Sequence, residues 1–312
     1  MSLKPVNKHL DSVTIEDIEN HKLISTRELQ QDLDNLLKFD ATENRNNFFG
    51  NPFLYHFQFE NLLRCKRENA KTIYDIYNDP VEWDKLIDST RKRNRGGRTA
   101  AGNVFECFRI NLGSVVMFKS TTAKYLYKKY GAKHVLDPTA GWGGRMLGAW
   151  ALDINYTGID TNTEMRETYD RMIEFLGSEN TFGNGLFEVE QTSKLNMIWQ
   201  SCLDVDFSSI DYDMVLTSPP YVNLEIYEHM DTWDTDQLFY EQFFIPLWQK
   251  CVDNIKPGGP VCFNISPKMY EDALKHGLQP ADSEEDLKQQ MGQRSESLKT
   301  GKKKQDKVYI WQ

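Results

Sequence analysis

The sequence predicts an α/β fold in which a mostly parallel sheet is covered by helices on both faces. From residue 111 onward, short apolar stretches typical of buried strands alternate with longer stretches typical of helices. Two of these short stretches end in an acidic residue, and a glycine-rich turn follows one of them. The first 110 residues carry few strand signals and predict a mainly helical region. We therefore expect two parts, residues 1–110 and residues 111–312.

The helical elements of the N-terminal region have recognisable start signals. Ser25 to Glu28 has the pattern of a capping box and predicts a helix that runs to about Lys38. Asp79 followed by Pro80 predicts an N-cap and the first turn of a second helix, which ends in a run of basic residues. Residues 94–103 are rich in glycine and small polar residues, which predicts a flexible basic loop.

The second region alternates between the two kinds of element along its whole length. The apolar stretches predict a strand or turn at 115–118 and strands at 134–136, 156–159, 187–190, 214–217, 261–265 and 308–311. The stretches between them predict helices at 122–130, 145–152, 163–176 and 238–254. Residues 281–307 are polar and charged and predict a mobile loop before the last strand.

Composition predicts a soluble, cytoplasmic protein. The chain has 312 residues, of which 39% are hydrophobic, and this is enough to bury a sizeable core. It contains no apolar run long enough to span a membrane and begins with a polar, charged segment. Its five cysteines are scattered without a C-x-x-C pair, and its histidines are dispersed. We expect neither a disulfide framework nor a metal site.

Positive charge is concentrated in one part of this acidic chain. The net charge is −9, yet residues 64–133 contain sixteen Lys and Arg against seven Asp and Glu. An acidic body with one basic face is compatible with a nucleic-acid partner, although a solvated helix end and loop would show the same pattern. The candidate contacts to a phosphate backbone lie in the densest run: Arg91, Lys92, Arg93, Arg95 and Arg98.

The glycine turn and a second acidic residue indicate a ligand of the adenosine type. Asp137 lies at a predicted strand end, and Gly141, Gly143 and Gly144 follow it just before a helix. Glycine lets the backbone approach a ligand closely, but such turns also serve as structural caps. Asp160 ends the next strand about twenty residues later, where an acid can accept hydrogen bonds from ribose hydroxyls or can cap a helix. The glycine turn and Asp160 together favour a bound ligand over purely structural caps.

A strand that ends in two prolines is the other unusual feature. Residues 214–217 lead directly into Ser218-Pro219-Pro220-Tyr221. Two prolines remove two backbone donors and fix two φ angles, so the chain there can join neither a sheet nor a helix. Taken alone, the motif could be a turn or a polyproline ligand.

In this order and spacing, the motifs resemble those of class I S-adenosylmethionine-dependent methyltransferases that modify exocyclic amines of adenine or cytosine in DNA. Asp137 to Gly144 looks like the family's cofactor motif, D-P-x-x-G-x-G, and residues 218–221 look like its catalytic motif. The resemblance covers residues 112–312 and implies a Rossmann-like sheet with an antiparallel last strand. It also implies S-adenosylmethionine as cofactor, DNA as partner, base flipping, and a role in DNA methylation or restriction-modification in a phage or mobile element.

The resemblance assigns roles to individual residues. The implied cofactor-binding residues are Phe118, Lys119, Asp137, Pro138, Thr139, Ala140, Gly141, Gly143, Asp160 and Asp204. The implied catalytic residues are Ser218, Pro219, Pro220 and Tyr221. Ser218 and the Pro219 carbonyl would accept hydrogen bonds from the target amine, and Tyr221 would stack on the flipped base. The Thr-Ser-Pro-Pro-Tyr form favours cytosine slightly over adenine.

The resemblance leaves two other substrates and one other class of protein open. The same chemistry could act on RNA or on a glutamine side chain of a protein, since related motifs serve those substrates. A protein that keeps the fold but only binds nucleic acid is the third alternative. Only about seventy residues separate Gly144 from Ser218, which leaves no room for a large target-recognition insertion. Target recognition is therefore expected in residues 1–110.

Overall fold

A computed structural model describes residues 9–43, 47–67, 70–93, 98–113, 117–177, 192–220, 225–226, 233–286 and 306–312. The helices are α1 (Ile15–Glu19), α2 (Thr26–Lys38), α3 (Asn51–Arg64), α4 (Ile73–Tyr77), α5 (Pro80–Arg93), α6 (Ala100–Phe108), α7 (Ser120–Tyr130), α8 (Gly144–Trp150), α9 (Arg166–Gly177), α10 (Asp236–Phe239), α11 (Ile245–Asn254) and α12 (Pro267–Lys275). The strands are β1 (Lys66–Arg67), β2 (His134–Asp137), β3 (Asn155–Asp160), β4 (Leu195–Trp199), β5 (Met214–Thr217), β6 (Glu225–Ile226), β7 (Val261–Ile265), β8 (Ser283–Asp286) and β9 (Lys307–Trp311).

Seven strands form one twisted sheet in the order β4-β3-β2-β5-β7-β9-β8. The first five of these are parallel to one another, while β9 runs antiparallel to both β7 and β8. This confirms the predicted mostly parallel sheet with an antiparallel last strand. The remaining strands, β1 and β6, pair with each other and so connect the N-terminal region to the segment that follows Ser218-Pro219-Pro220.

Apolar side chains cover the sheet on both faces. On one face, a buried cluster joins the strands to α7, α8 and α9, and Val135 of β2 belongs to it. On the other face, a second cluster includes Leu136 of the same strand and packs under α11 and α12. Successive residues of a strand point to opposite faces, so this division is the expected consequence of two-sided burial.

The N-terminal region packs onto the first of these clusters. Leu29, Leu33 and Leu36 of α2 and Phe53 and Leu54 of α3 are buried in the same cluster as the sheet residues. A third cluster holds α1, α4, α5 and α6 together around the other side of α3. The described part of the N-terminal region thus shares a core with the sheet, and α3 contributes to both clusters.

Lys124 of α7 attaches the end of α2 to the rest of the molecule. Its buried ammonium donates to the carbonyl oxygens of Leu36, Leu37 and Phe39, at 2.8, 2.9 and 3.0 Å. These are carbonyls that a helix leaves without partners at its C-terminus. Burial lowers the pKa of Lys124 to about 8, with Lys128 adding to the effect.

The helix signals read from the sequence are mostly confirmed. The capping box at Ser25 and Glu28 is present with both reciprocal bonds, and α5 begins at Pro80. The predicted loop at 94–103 is wrong from residue 100 onward, because Thr99 caps α6 through its side chain. Residues 94–97 lie outside the described residues.

Two predictions in the second half differ from the structure or lie beyond it. The strand expected at 187–190 lies outside the described residues, and β4 forms at Leu195–Trp199. The loop expected at 281–307 is wrong for Ser283–Asp286, which form an edge strand on β9. Acidic residues are poor strand formers, so this strand depends on its pairing with β9 and on Lys307, which contacts both Glu284 and Asp286.

Candidate functional site

The predicted site residues lie at one edge of the sheet. Strands β3, β2 and β5 are neighbours, run parallel, and end at Asp160, Asp137 and Thr217 respectively. The strand order reverses direction at β2, since β3 and β4 lie on one side of it and β5 and β7 on the other. Ligands of open α/β sheets bind at the carboxyl ends of the strands at such a reversal.

The glycine turn after β2 is shaped by close backbone contacts. Gly141 and Gly143 have φ angles of +58° and +85°, in the left-handed region that favours glycine. A Cβ atom at Gly144 would lie 1.9 Å from the carbonyl oxygen of Phe118. A Cβ atom at Gly141 would meet only the Thr139 carbonyl, at 3.9 Å, among the described residues. The turn therefore packs tightly at its helix end and has open space at Gly141.

Asp160 lies beside this open space. One of its carboxylate oxygens accepts the backbone N–H of Gly141 at 2.8 Å, and the other accepts that of Asn162 at 2.9 Å. Asn162, rather than Asp160, caps the short helical turn that follows. Burial raises the pKa of Asp160 to about 6, against the backbone hydrogen bonds that lower it. Each oxygen retains a lone pair that can accept a further hydrogen bond.

Asp137 is fully buried and forms the centre of an internal network. Its Oδ2 accepts from Arg145 Nε at 2.7 Å and from the Tyr156 hydroxyl at 2.6 Å, while its Oδ1 has no partner. Arg145 also donates to the Thr139 carbonyl at 2.5 Å. Asp137 thus contacts the groups that hold the turn, and its carboxylate does not reach the surface.

Arg145 links the turn to the segment before α7. Its guanidinium lies 5.3 Å from the centre of the Phe118 ring, a favourable cation–π arrangement. Burial acts to lower the pKa of Arg145, but the adjacent Asp137 carboxylate raises it above its usual value. One buried guanidinium therefore contacts three of the predicted cofactor-binding residues.

Lys119 follows Phe118 and is buried beneath an aromatic ring of the N-terminal region. Its ammonium lies 4.3 Å from the centre of the Phe48 ring, and burial lowers its pKa to about 8. Half of Phe48 is exposed to solvent. The N-terminal region therefore reaches the predicted cofactor segment as well as the sheet.

The remaining residues of the turn connect it to the strand that carries the proline motif. The Thr139 hydroxyl lies 2.6 Å from the Thr217 hydroxyl, directly before Ser218. Pro138 and Ala140 are buried, and the Ala140 N–H donates to the Ile159 carbonyl at 2.9 Å. The cofactor turn and the proline motif are thus adjacent in space.

Ser218 has a defined hydrogen-bond partner. Its hydroxyl donates to the carbonyl oxygen of Asn264 at 3.3 Å, with the Asn264 side-chain oxygen at 3.5 Å. The Asn264 amide in turn donates to the Lys307 carbonyl at 3.1 Å. Because the hydroxyl proton is used toward Asn264, the Ser218 oxygen retains lone pairs for an incoming donor. Pro219 is buried, and Tyr221 lies outside the described residues.

Asp204 follows the strand next to β3, whereas the predicted basic residues belong to the N-terminal region. Asp204 is exposed on the turn after β4, the strand next to β3. Arg91 contacts Asp88 and Asp11 at 2.5 and 2.6 Å, Arg93 donates to Asn111, and Arg98 lies 3.4 Å from Glu106. Lys92 is exposed at the end of α5, and Arg95 lies outside the described residues. Exposed ion pairs are weak, so these side chains can exchange partners for phosphate.

Three residues that the structure places at the site carry no predicted role. Arg145 supports the turn, Asn264 holds Ser218, and Tyr169 of α9 donates to the Gly141 carbonyl at 2.8 Å. An arginine within the apolar stretch of α8 is a signal that could have been used, since buried charges are paired. Tyr169 and Asn264 carry no comparable signal, because aromatic and amide side chains are common in helices and strands.

Two classes of feature are missing from the described ranges. Within them, no three His, Cys, Asp or Glu side chains are placed so that they could hold a metal ion. No helix among the described residues is both long enough and apolar enough to cross a membrane. None of the five cysteines forms a disulfide, and four of them are buried.

Strand order, the antiparallel β9 and the glycine turn after β2 define the Rossmann-like class I methyltransferase fold. No family model matches the chain, and no curated protein matches it in sequence.

Several solved structures are similar to the chain at low identity. TrmN from Thermus thermophilus is 14% identical with a TM-score of 0.41, and the match covers 61% of this chain and 48% of that protein. An RNA methyltransferase from Salinibacter ruber in complex with S-adenosyl-L-homocysteine is 13% identical with a TM-score of 0.37, covering 63% and 92%. An rRNA methylase from Streptococcus thermophilus is 11% identical with a TM-score of 0.37, covering 64% and 99%. The chain thus spans about half the length of TrmN.

Proposed function

We propose that the protein transfers a methyl group from S-adenosylmethionine to the exocyclic amine of a base in DNA, with cytosine favoured over adenine. One observation carries this proposal. The sheet brings the glycine turn, Asp160 and Ser218-Pro219 together at neighbouring strand ends, where the strand order reverses. The site thus offers a place for a nucleoside next to acceptors for an amine.

The residues of the turn fit S-adenosylmethionine. Asp160 can accept hydrogen bonds from the ribose hydroxyls, since each oxygen has a lone pair left, and the open space at Gly141 admits the nucleoside. Phe118 and Lys119 are proposed to contact the methionine part, and exposed Asp204 the adenine ring. When bound, the cofactor supplies a methyl group activated by a positively charged sulfur.

The proline motif is proposed to orient the target amine. An exocyclic amine of a base is a poor nucleophile because its lone pair is delocalised into the ring. The Ser218 oxygen and the Pro219 carbonyl would accept hydrogen bonds from its two N–H groups. These bonds would localise the lone pair on the nitrogen and direct it toward the methyl group. Asn264 prepares Ser218 for this task, because its carbonyl oxygen accepts the hydrogen bond of the Ser218 hydroxyl. Fixed φ angles keep the Pro219 acceptor in place, and Tyr221 would stack on the base.

DNA recognition is proposed for residues 1–110. The exposed basic residues at the end of α5 suit contacts to a phosphate backbone, which position a nucleic acid without reading its sequence. The same contacts would suit RNA, so RNA is the second candidate substrate. A protein glutamine is a weaker candidate, because its methylation would leave these basic residues without a function.

Mass spectrometry of nucleosides tests the proposal. The purified protein is incubated with S-adenosylmethionine and either duplex DNA, single-stranded DNA or RNA, and the nucleosides are then analysed for methylated cytosine and adenine. We expect a methylated base in DNA. Methylation of RNA alone would identify RNA as the substrate in place of DNA. Unmodified nucleosides in every sample would refute the proposal.

Variants of Ser218 separate catalysis from cofactor binding. Ser218→Ala should lower the rate of methyl transfer about 100-fold or more, the usual cost of removing an oriented polar group from a transition state. Its affinity for S-adenosylmethionine should be unchanged. The matched control is Ser208→Ala, an exposed serine in the turn between β4 and β5, which should leave both quantities unchanged.

A further inference from the structure

Two cations of the N-terminal region pair with a single carboxylate, and a third cation lies near it. Arg109 donates to both oxygens of Glu106, at 3.0 and 2.8 Å, and Arg98 lies 3.4 Å from the same carboxylate. Lys22 is the third cation, and we call these three residues the cation cluster. Glu106 is only 18% exposed, while Arg98 and Arg109 are 43% and 34% exposed. The Glu106 carboxylate is thus mostly buried, whereas the Arg98 and Arg109 side chains are partly exposed to solvent.

The Lys22 ammonium has aromatic neighbours. It lies 5.0 Å from the centre of the Tyr55 ring and 6.0 Å from that of Phe105, next to Glu106 in sequence. In the described part of the chain, no carboxylate forms an ion pair with it. Aromatic faces hold an ammonium but do not neutralise its charge. The cluster therefore carries about two uncompensated positive charges.

This charge is unfavourable to the folded protein. Burial and then the neighbouring Arg98 lower the pKa of Lys22. Burial, and then Lys22 and Arg98, lower the pKa of His21 to about 4. Like charges held together in a part-buried place cost stability, and proteins retain such arrangements mainly at functional sites. An anion that entered the cluster would remove the cost.

The position of the cluster relates it to the candidate site. Tyr55, which lies under Lys22, belongs to α3. The preceding residue of that helix, Leu54, packs against the glycine turn, 3.6 Å from the Cβ position of Gly143. Two successive residues of α3 thus contact the cluster and the glycine turn.

We propose that Lys22, Arg98 and Arg109 together bind a phosphodiester group of the nucleic-acid substrate. The planar guanidinium groups suit the oxygens of a phosphate, and Lys22 contributes a point charge. Of these residues, only Arg98 belongs to the basic run that the sequence indicates; Lys22 and Arg109 come from other elements. The identity of the ligand rests on the proposed function, while the excess of positive charge does not.

Salt-dependent binding tests the proposal. A fluorescein-labelled DNA duplex and an RNA duplex of the same sequence are titrated with cofactor-free protein at several salt concentrations. The variants are Lys22→Met and Arg98→Gln, and the control is Lys38→Met, an exposed lysine of α2 whose ammonium lies 3.9 Å from Asp34. Each cluster variant should make the slope of log K against log salt shallower by about 0.9 for DNA. The control should have the wild-type slope.

Thermal unfolding provides a second readout that a merely structural role would not produce. Lys22→Met should raise the melting temperature of the free protein, because it removes a cation from an unbalanced cluster. Variants with wild-type slopes on both duplexes would refute the phosphodiester site even if methyl transfer is observed. Shallower slopes without any methyl transfer would refute the proposed function and leave the site standing. A reduced slope on RNA alone would assign the site to RNA.

Discussion

Replacement of Arg145 should destabilise the protein strongly. The Arg145→Met variant would leave Asp137 fully buried with the Tyr156 hydroxyl as its remaining partner, since Oδ1 has none. Breaking a buried ion pair from one side costs about 3–5 kcal/mol of unfolding free energy. This is a large share of the roughly 5–15 kcal/mol by which a folded domain is stable. Chemical denaturation followed by tryptophan fluorescence would measure it.

The second half of this experiment is a double-mutant cycle. Asp137→Asn with Arg145→Met removes both charges, and replacing both members of a buried pair is often close to neutral. The double variant should therefore be more stable than Arg145→Met alone, by about 1–3 kcal/mol. If the losses of the two single variants simply add, Asp137 and Arg145 are not coupled, and the network described for the turn is wrong. The double variant should still bind S-adenosylmethionine weakly, because the Thr139 carbonyl and the Phe118 ring lose their support.

Three further predictions concern the turn and its surroundings. Affinity for S-adenosylmethionine, measured by calorimetry, should fall as the pH falls through about 6, because Asp160 then gains a proton and ceases to accept from the ribose; Asp160→Asn should bind weakly at every pH. Gly144→Ala should cost about 1–3 kcal/mol or more, since its Cβ meets the Phe118 carbonyl, whereas Gly177→Ala, whose Cβ meets no atom of the described residues within 4 Å, should be near neutral. Lys124→Met should cost about 1–3 kcal/mol, because the Leu37 and Phe39 carbonyls lose this donor while that of Leu36 keeps the N–H of Phe39. An equal melting temperature for Lys124→Met and wild type would contradict that account.

The sign of the Asp160 effect on stability is opposite to that on binding. Its pKa in the folded protein is raised to about 6, above the usual value near 3.8. The folded state therefore holds this proton more tightly than the unfolded state. The contribution to stability is complete below pH 3.8 and is lost as the pH rises to about 6. Ionised Asp160 is thus retained at a cost to the fold, as expected for a residue that serves a ligand.

The sequence predicts the sheet well because its strands are short, apolar and buried on both faces. The strand ends at Asp137, Asp160 and Thr217 follow from where each apolar run stops. The edge strand Ser283–Asp286 could not be predicted in this way, since its residues are acidic and depend on β9 for pairing. Strand β4 (Leu195–Trp199) differs from it, because its residues are apolar apart from Asn196, yet none of its side chains is fully buried.

Site residues were predictable where a local motif marks them and not where contacts come from distant parts of the chain. Gly141 and Ser218 stand in recognisable motifs. Asn264 accepts a hydrogen bond from Ser218, which lies 46 positions earlier in the sequence. Phe48, in the connection between α2 and α3, contacts Lys119. Such partners are set by the packing of elements, which local patterns do not encode.

The packing of α2 and α3 into the core of the sheet bears on how specificity could change during evolution. Enzymes that carry target recognition in an inserted domain can exchange that domain as a unit. Here Leu33 and Leu54 belong to the same buried cluster as Val135, so the N-terminal region cannot be replaced without rebuilding the core. Under the proposed function, new targets would have to be acquired by single substitutions on exposed faces of these helices. The lineage would then diversify gradually, without recombination of ready-made parts.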